Sequence, residues 1–290
     1  MRALEPISFA YCTEFGVGNP SLTQGTALTN AIGASNADGA AAVQIGSGAL
    51  THDCEWIEII VSDCSGDAST VDSSALLDIV IDPAGGTSWD TTNRLIQSLM
   101  VGFLPTTTAN GFHAWRRWAF PLWVKSGASF AGIGRTVIAA AQTANVFIRC
   151  YGGVNRPSQW WCGQKVDAVG ENRASSAGTS VTPSASANTW GTTTNIGSAT
   201  TRRYGYLVPT ACGAGTNFTL IRQMQMLIGG TVIGGTYNYN FASTEIMTGF
   251  MDGNPGVFCN VPEGTQLTAR VKASGTSGSA DQIIIHGVAT

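Results

Sequence analysis

The chain has 290 residues, of which only 11% are charged, and a formal net charge of −3 at pH 7. Phosphate binding needs clustered Lys and Arg, so this composition argues against a nucleic-acid partner. The sequence has no apolar run of about 18 residues and no apolar stretch after its first residues, so we expect neither a membrane span nor a secretory signal. Low charge together with 36 glycines is typical of an all-β protein with a polar, uncharged surface, or of a protein that packs against other copies.

The first 20 residues differ from the rest of the chain. Phe9-Ala10-Tyr11-Cys12 is apolar, and the stretch from Gly16 to Pro20 is rich in turn-forming residues. We therefore expect residues 1–20 to form a short N-terminal arm. Phe9 and Tyr11 would either pack back on the domain or reach a neighbouring molecule.

Two stretches of strand pattern come after the arm, separated by residues 154–177, which we interpret as a linker. β-branched and apolar residues in partial period-two alternation, bounded by Gly, Pro and Asp, predict strands rather than helices. These predicted strands are 56–61, 76–82, 95–103, 120–124 and 146–151 in the first stretch, and 204–209, 217–228 and 282–286 in the second.

Short blocks of the first stretch return in the second in the same order. The spacing from Gly127 to Phe147 equals that from Gly264 to Ile284, so the last block needs no gap. Several ordered matches predict a duplicated, domain-sized unit rather than a solenoid repeat. The matched blocks are Gln44-Ile45-Gly46-Ser47 with Asn195-Ile196-Gly197-Ser198, Leu99-Met100-Val101-Gly102-Phe103-Leu104 with Ile246-Met247-Thr248-Gly249-Phe250-Met251, Val124-Lys125-Ser126-Gly127 with Val261-Pro262-Glu263-Gly264, and Val146-Phe147-Ile148 with Ile283-Ile284-Ile285.

Each unit shows about eight short strands with turn signals between them, which is typical of a β-sandwich. The predicted fold is therefore all-β, with two tandem, duplicated, jelly-roll-like sandwiches at residues 21–153 and 178–290. The N-terminal arm precedes the first sandwich.

The chain also shows an order of motifs: a Ser/Thr/Ala run, an apolar strand, Leu-x-Asp-Ile, a Gly-Phe block and Pro-x-Gly-x-x-Leu-x-x-Arg. The last motif is Pro262-Glu263-Gly264-Thr265-Gln266-Leu267-Thr268-Ala269-Arg270 in the second unit. The first unit keeps Gly127 but has Lys125 and Ile133 at the Pro and Arg positions. This order resembles the β-sandwich modules of virion proteins of tailed bacteriophages.

The resemblance implies a structural or adhesive role on a phage particle. We predict a non-enzymatic structural protein, a capsid decoration or a tail or neck component, which is made in the host cytoplasm and resides in the virion. Its partners would be other virion proteins and further copies of itself, with a trimer favoured. The alternative is a receptor- or carbohydrate-binding module of a tail tip or fibre, whose partner would be a host surface glycan.

Histidines and carboxylates form no catalytic motif. His52, His113 and His286 belong to no hydrolase, metalloprotease or nucleotide-binding pattern, and His286 aligns with Arg149 in the repeat, which indicates a position on a sheet. A group of five carboxylates could bind calcium, could support glycoside hydrolysis, or could cap turns and keep strand faces soluble. We favour turn capping, because residues 209–217 of the second unit contain no acid; the five are Asp63, Asp67, Asp72, Asp78 and Asp82.

Seven cysteines, an odd count without a C-x-x-C motif, predict buried free thiols rather than a zinc site or a disulfide framework. Cys54 and Cys64 are the first pair to test, because they flank a predicted strand and turn. No metal and no cofactor are predicted.

Aromatic residues give the strongest functional signal. The first unit spans ten residues more than the second between its Gly-Phe block and the next matched glycine, and the excess holds Phe112, Trp115, Arg116, Arg117 and Trp118. Trp and Arg together are typical interface anchors, although these rings could instead plug the end of the sandwich or stack on sugars. We predict interface roles for Phe112, Trp115, Arg116, Trp118, Trp160, Trp161, Phe9 and Tyr11.

Overall fold

A computed structural model describes residues 9–18, 25–29, 41–66, 74–102, 116–136, 142–153, 161–172, 178–213, 220–240, 256–276 and 280–290. These residues form strands, turns and bends, and no helix occurs among them. The all-β prediction is therefore confirmed. No helix of this described part is long and apolar enough to cross a membrane.

The described residues form eighteen strands, which divide evenly between two halves of the chain. The first half contains β1 Tyr11–Phe15, β2 Thr26–Thr29, β3 Val43–Gln44, β4 Trp56–Gly66, β5 Ser74–Asp82, β6 Ile96–Gly102, β7 Arg116–Phe120, β8 Ser129–Thr136 and β9 Gln142–Gly152. The second half contains β10 Lys165–Val169, β11 Thr179–Val181, β12 Thr194–Asn195, β13 Tyr204–Gly213, β14 Ile221–Ile228, β15 Thr231–Asn240, β16 Val257–Val261, β17 Leu267–Ala273 and β18 Asp281–Ala289.

The two halves have the same strand order. In the first, β1, β9, β4 and β7 are neighbours with β2 also on β9, and β3, β8, β5 and β6 form the opposing layer. In the second, β10, β18, β13 and β16 are neighbours with β11 on β18, and β12, β17, β14 and β15 form the other layer. Apart from the first strand of each half, this is the arrangement of an eight-stranded jelly roll. The matching order supports the predicted duplication.

Glycines at one matched turn show how closely the halves agree. Gly46 and Gly197 both have positive φ, of 70° and 62°. A Cβ at either position would overlap the backbone nitrogen of another positive-φ glycine, Gly16 in the first half and Gly170 in the second. Both turns therefore require glycine for close backbone approach, which explains why this sequence block recurs.

Strand β10 joins the halves into one body. It pairs antiparallel with β18 and parallel, at Val166 and Ile96, with β6. The Val166 amide also donates to the Leu95 carbonyl oxygen at 2.8 Å. One nine-stranded sheet consequently runs through both halves.

Two strands lie in segments that the sequence predicted to be a linker and an arm. Residues 154–177, predicted as a linker, include β10, and residues 1–20, predicted as an arm, include β1, which pairs with β9 along its whole length. Both strands have only five residues, too few for periodicity to separate them from loop sequence.

Side chains also pack across the junction. Tyr206, Val208 and Val288 of the second half lie in one buried apolar cluster with Phe120 of the first. The rings of Phe120 and His286 lie 6.4 Å apart at 77°. The second half thus presents one face of β13 and β18 to the core of the first half.

Three local predictions need correction. Gly234 and Gly235, two adjacent glycines that by themselves predict a turn, lie inside β15 with φ of 72° and 98°. There β15 has extra residues opposite Gln225 of β14. Strand β7 ends at Phe120, and Val124 makes only an isolated bridge with Cys54. Cys54 precedes β4 and Cys64 lies near its far end, so an extended chain on the order of 30 Å long separates this pair.

Candidate functional site

The predicted interface residues do not form one loop. Phe112, Trp115 and Trp160 lie outside the described residues. Arg116 begins β7 opposite Val61. The other four are Trp118, Trp161, Phe9 and Tyr11, and they lie in separate parts of the first half and the junction.

Trp118 is not the exposed anchor that the sequence suggested. It is 4% exposed and packs in the core of the first half. Its position in β7 explains this, because alternation along the strand turns Trp118 and Phe120 inward, opposite Ile59 and Ile57, and leaves Arg117 outside. Trp118 is therefore a core residue, as the sandwich-plug interpretation expected.

Phe9 and Tyr11 contact aromatic rings of the same chain. Tyr11 is 49% exposed and stacks on His52, with ring centroids 4.1 Å apart. Phe9 contacts the Tyr151 ring at 5.3 Å. The described part of the arm is thus an added edge strand, although Tyr11 still offers an exposed ring.

Aromatic side chains form a continuous strip across the junction, which we call the aromatic strip. From Phe9 and Tyr151 it continues to Trp56, which lies directly opposite Tyr151 in the β4–β9 pair and so shares its face. Trp56 contacts Tyr206 at 6.2 Å, and Tyr206 contacts Phe258 at 4.7 Å. The strip ends at Phe258, which is 52% exposed.

Trp161 lies against the backbone of Gly205, next to Tyr206 of the strip. It packs against the core of the first half, and a Cβ at position 205 would overlap its ring. Gly205 is thus required by close approach of the indole. Trp161 is therefore partly buried near the strip and the junction, and its interface role stays a prediction.

Charged groups border the strip in the first half. The Tyr151 hydroxyl donates to Glu58 Oε2 at 3.1 Å. Burial and the Glu58 carboxylate raise the pKa of Tyr151 to about 12, and burial raises the pKa of Tyr206 to about 12. Both phenols stay protonated at neutral pH, so neither acts as a base, and the hydroxyl of Tyr206 is buried.

Buried polar groups elsewhere have structural partners. Asp82 accepts the amides of Ala84 and Ser88, each at 2.9 Å, which caps the turn after β5 and lowers the pKa of Asp82. Asp78 accepts the Ser98 amide at 2.6 Å and pairs with Arg94 at 2.8 Å. The turn-capping interpretation fits Asp82, whereas Asp78 is a buried partner of Arg94 inside β5. Asp67 and Asp72 lie outside the described residues. No group of three metal-ligating side chains occurs in the described part of the chain.

Sequence analysis missed most of the strip. Trp56, Tyr151, Tyr206 and Phe258 all stand in strand patterns, where an aromatic residue is usually core. The only available signal was alternation, because Phe258 falls between the less exposed Val257 and Cys259. The junction decides which of these rings lie together, and the sequence blocks do not reveal it.

Comparisons with known proteins give fold resemblance without a family. No family model and no curated protein sequence matches the chain. Among solved structures it is similar to PNGF-II, at 10% identity and a TM-score of 0.37 over 96% of this chain and 65% of that chain. In a second crystal form of PNGF-II the match spans 59% of that chain. The chain thus spans less than two thirds of the length of either.

Two further similarities come from different classes of protein. The chain is similar to the N-terminal CBM22-1–CBM22-2 tandem domain of Paenibacillus barcinonensis Xyn10C, at 11% identity and a TM-score of 0.23, over 83% of this chain and 81% of that one. It is also similar to infectious bursal disease virus of the Gx strain, at 8% identity and a TM-score of 0.23, over 98% and 73%. The structural neighbours are thus β-sandwich proteins that include a carbohydrate-binding tandem and a viral capsid protein, and at these scores they carry no functional argument.

Proposed function

We propose that this protein is a non-enzymatic structural component of a virus particle, specifically of a bacteriophage, and that it acts by packing against other particle proteins. The observation that carries the proposal is the aromatic strip, whose end at Phe258 is half exposed in a chain with only 11% charged residues. Exposed aromatic rings on a weakly charged surface favour association over a free monomeric state.

The architecture supports this role. Two jelly rolls that share a sheet and an apolar cluster form a rigid block, and jelly rolls are a fold of viral capsid and lectin domains. Fold alone does not decide function. The bacteriophage assignment depends on the order of motifs along the chain, whose strongest part is Pro262 to Arg270.

Further copies of this chain are the first partners that we propose, with a trimer favoured. Tyr11 and Phe258 offer exposed rings in different halves, so a contact could involve both. Each aromatic ring that becomes buried at such a contact would contribute about 2 kcal/mol, which corresponds to a roughly 30-fold change in the dissociation constant.

Sedimentation velocity tests the proposal. We expect the wild type to form a concentration-dependent oligomer and Phe258→Ser to weaken it by roughly 30-fold. The matched control is Ile221→Ser, because Ile221 is 56% exposed but lies outside the aromatic strip, and this variant should assemble like the wild type. A 30.1 kDa monomer at every concentration would contradict the proposal.

The virion location needs a separate test. Antibody labelling of intact phage particles, viewed by electron microscopy, should place the protein on the head, neck or tail. Absence of the protein from purified particles that otherwise infect normally would contradict the phage assignment even if the protein assembles in solution.

A receptor- or carbohydrate-binding module is the second candidate function. The observation that favours it is a cleft beside Trp190 in the second half, which is lined by none of the residues of the aromatic strip. This cleft can be tested independently of assembly.

A further inference from the structure

The cleft lies at the edge of the second jelly roll, where the two layers meet at β11 and β12. Its volume is about 460 Å³, within the range of small-ligand sites. It is lined by one aromatic ring and by hydroxyl-bearing side chains: Ser180, Thr182, Ser184, Trp190, Thr192 and Thr194.

Backbone hydrogen bonds hold the wall of the cleft in place. The amides of Asn188 and Gly191 donate to the carbonyl oxygens of Ala273 and Val271, at 2.7 and 2.9 Å. Gly191 approaches the opposite wall so closely that a Cβ there would overlap the Thr182 carbonyl oxygen. The residues flanking Trp190 are therefore fixed before any ligand binds, which lowers the entropic cost of binding.

Two cations lie over the Trp190 ring. The Arg270 guanidinium carbon is 5.0 Å from the ring centroid, and the Lys272 ammonium nitrogen is 4.9 Å from it. Arg270 also donates through Nε and Nη2 to Gln225 Oε1, at 2.9 and 2.7 Å, so its position is set from two sides. Within the part of the chain that the structure describes, no carboxylate pairs with Arg270 or Lys272.

The donors and acceptors of the cleft also suit a polyhydroxylated ligand. In the described structure the hydroxyls of Thr182 and Thr192 have no hydrogen-bond partner, and Ser180 shares its hydroxyl with Gln282, at 2.9 and 3.3 Å. Hydroxyls both donate and accept, as sugar hydroxyls require. The apolar ring of Trp190 can pack on the C–H face of a pyranose while its polar edge stays wet.

We propose that this cleft binds a saccharide that carries a carboxylate. The pyranose ring packs on the part of Trp190 that lines the cleft, and its hydroxyls bond to the threonine side chains. Its carboxylate extends past the indole to Lys272, which lies over the Trp190 ring without lining the cleft and has three donors. A neutral sugar would leave both cations uncompensated, whereas an acidic one neutralises at least one of them. This site lies outside the aromatic strip, and it does not depend on the assembly function proposed above.

One signal for this site is present in the sequence. Trp190 is the one aromatic residue in a Ser/Thr/Ala/Gly run from Gly178 to Thr194, a run whose composition by itself predicts only a strand-poor start of the second unit. The cations come from β17, about 80 residues further along, so the sequence could not place them beside the ring.

Titration of the full chain by NMR tests the site. The probe is 3′-sialyllactose, and lactose is the matched neutral probe that lacks the carboxylate. The readout is the indole N–H signal of Trp190, assigned by comparison with Trp190→Phe. We expect a saturable shift with 3′-sialyllactose and about tenfold weaker binding of lactose. A trimer of galacturonic acid tests whether any carboxylate-bearing sugar suffices.

Variants separate the ring from the charge. Trp190→Ala should abolish binding, and Lys272→Gln should reduce 3′-sialyllactose binding to the level of lactose. The matched controls are Trp123→Ala and Lys125→Gln, which remove an exposed Trp and an exposed Lys of the first half and should bind normally. Thermal unfolding of each variant shows whether it is folded.

Two results would overturn the proposal. The first is that neither acidic saccharide shifts the Trp190 signal of the wild type. The second is that lactose binds as tightly as 3′-sialyllactose. If Phe258→Ser loses assembly while the Trp190 signal still responds to 3′-sialyllactose, the two sites are independent, as proposed.

Discussion

The last strands of the two halves, β9 and β18, have equivalent places in the fold but opposite surroundings. Each is paired with a strand on either side, so that one of its residues and the two partner residues form a row across three strands. We compare the row centred on Arg149 in β9 with the row centred on His286 in β18. The first row is charged and the second is almost apolar. The rows are Glu14, Arg149 and Glu58 in the first half, and Ala168, His286 and Val208 in the second.

Packing between the halves explains the difference. All nine residues of β18 are buried, because one face covers the core of its own jelly roll and the other faces the first half. His286 lies there at 6.4 Å from the Phe120 ring, whereas Arg149 in β9 remains about one-third exposed. The polarity of the residues on a strand therefore depends on what packs over the strand, and not on its position in the jelly roll.

His286 keeps a polar ring inside this contact. Its Nε2 lies 3.2 Å from Thr210 Oγ1, and its Nδ1 has no hydrogen-bond partner in the described structure. Burial lowers the pKa of His286 to about 3. The imidazole is therefore neutral at physiological pH and has no access to a substrate.

The largest loss of stability is expected when His286 is replaced by arginine, the residue at the equivalent position of the first row. His286→Arg would place a charge without a partner between the halves, and we expect it to lower the free energy of unfolding by about 4 kcal/mol or to prevent folding. Urea denaturation measures the change. If it costs less than about 1 kcal/mol, the contact between the halves is not a dry core.

Trp118 and Phe258 offer the next comparison, between a core aromatic residue and an exposed one. Trp118→Ala should lower the free energy of unfolding by about 3–5 kcal/mol, because it leaves a cavity in the first core. Phe258→Ala should change it by less than about 1 kcal/mol, since this ring is half exposed. Denaturation of the dilute protein, below the concentration at which it assembles, checks both. Equal losses of unfolding free energy in the two variants would mean that Phe258 packs in the core.

The pH dependence of stability sharpens the role of His286. The pKa of His286 is lowered from 6.5 to about 3 in the folded state, so the unfolded state binds the extra proton between these values. Stability is therefore fully present above pH 6.5 and falls as the pH falls, by about 3 kcal/mol between pH 7 and pH 4. In His286→Leu this contribution should be absent.

Denaturation at pH 7, 5.5 and 4 compares the two proteins. Burial raises the pKa of Asp281 from 3.8 to about 6, which acts in the opposite direction, but it is common to wild type and variant and cancels in the difference. A difference that does not change with pH would show that His286 is not neutral and buried in solution.

Much of the fold could be predicted because it depends on local pattern. The alternation of Leu76 to Asp82 and the recurring Gly46 and Gly197 turns specify strands and tight bends through nearby residues alone. The parallel pairing of Val166 with Ile96 could not be predicted, since a single bridge between distant strands leaves no periodic signal. The predicted linker at residues 154–177 therefore contains a strand, β10, that the sequence did not indicate.

The candidate site was predicted less well for the same reason. The sequence suggested that Trp118 is exposed, because the second half closes the same connection in fewer residues. In the structure Trp118 lies in β7, at the edge of a sheet, and its side chain is buried. Phe9 was singled out from its apolar segment, but its neighbour in the strip, Tyr151, stands in a strand pattern that is typical of a core. Sites built from the outer faces of several strands depend on contacts that sequence spacing does not encode.

The smallest expected effect concerns the charged row of the first half. Arg149 Nε and Glu14 Oε1 are 2.7 Å apart, with side chains 32% and 42% exposed. Surface pairs of this kind contribute less than about 1 kcal/mol, so Arg149→Ala should be nearly neutral. A double-mutant cycle with Glu14→Ala isolates the pair, and its coupling should vanish in about 1 M salt because exposed charges are screened. A salt-independent coupling of several kcal/mol would instead mean that this row is buried in solution, as it would be if a second copy covered the first half in the way the first half covers β18.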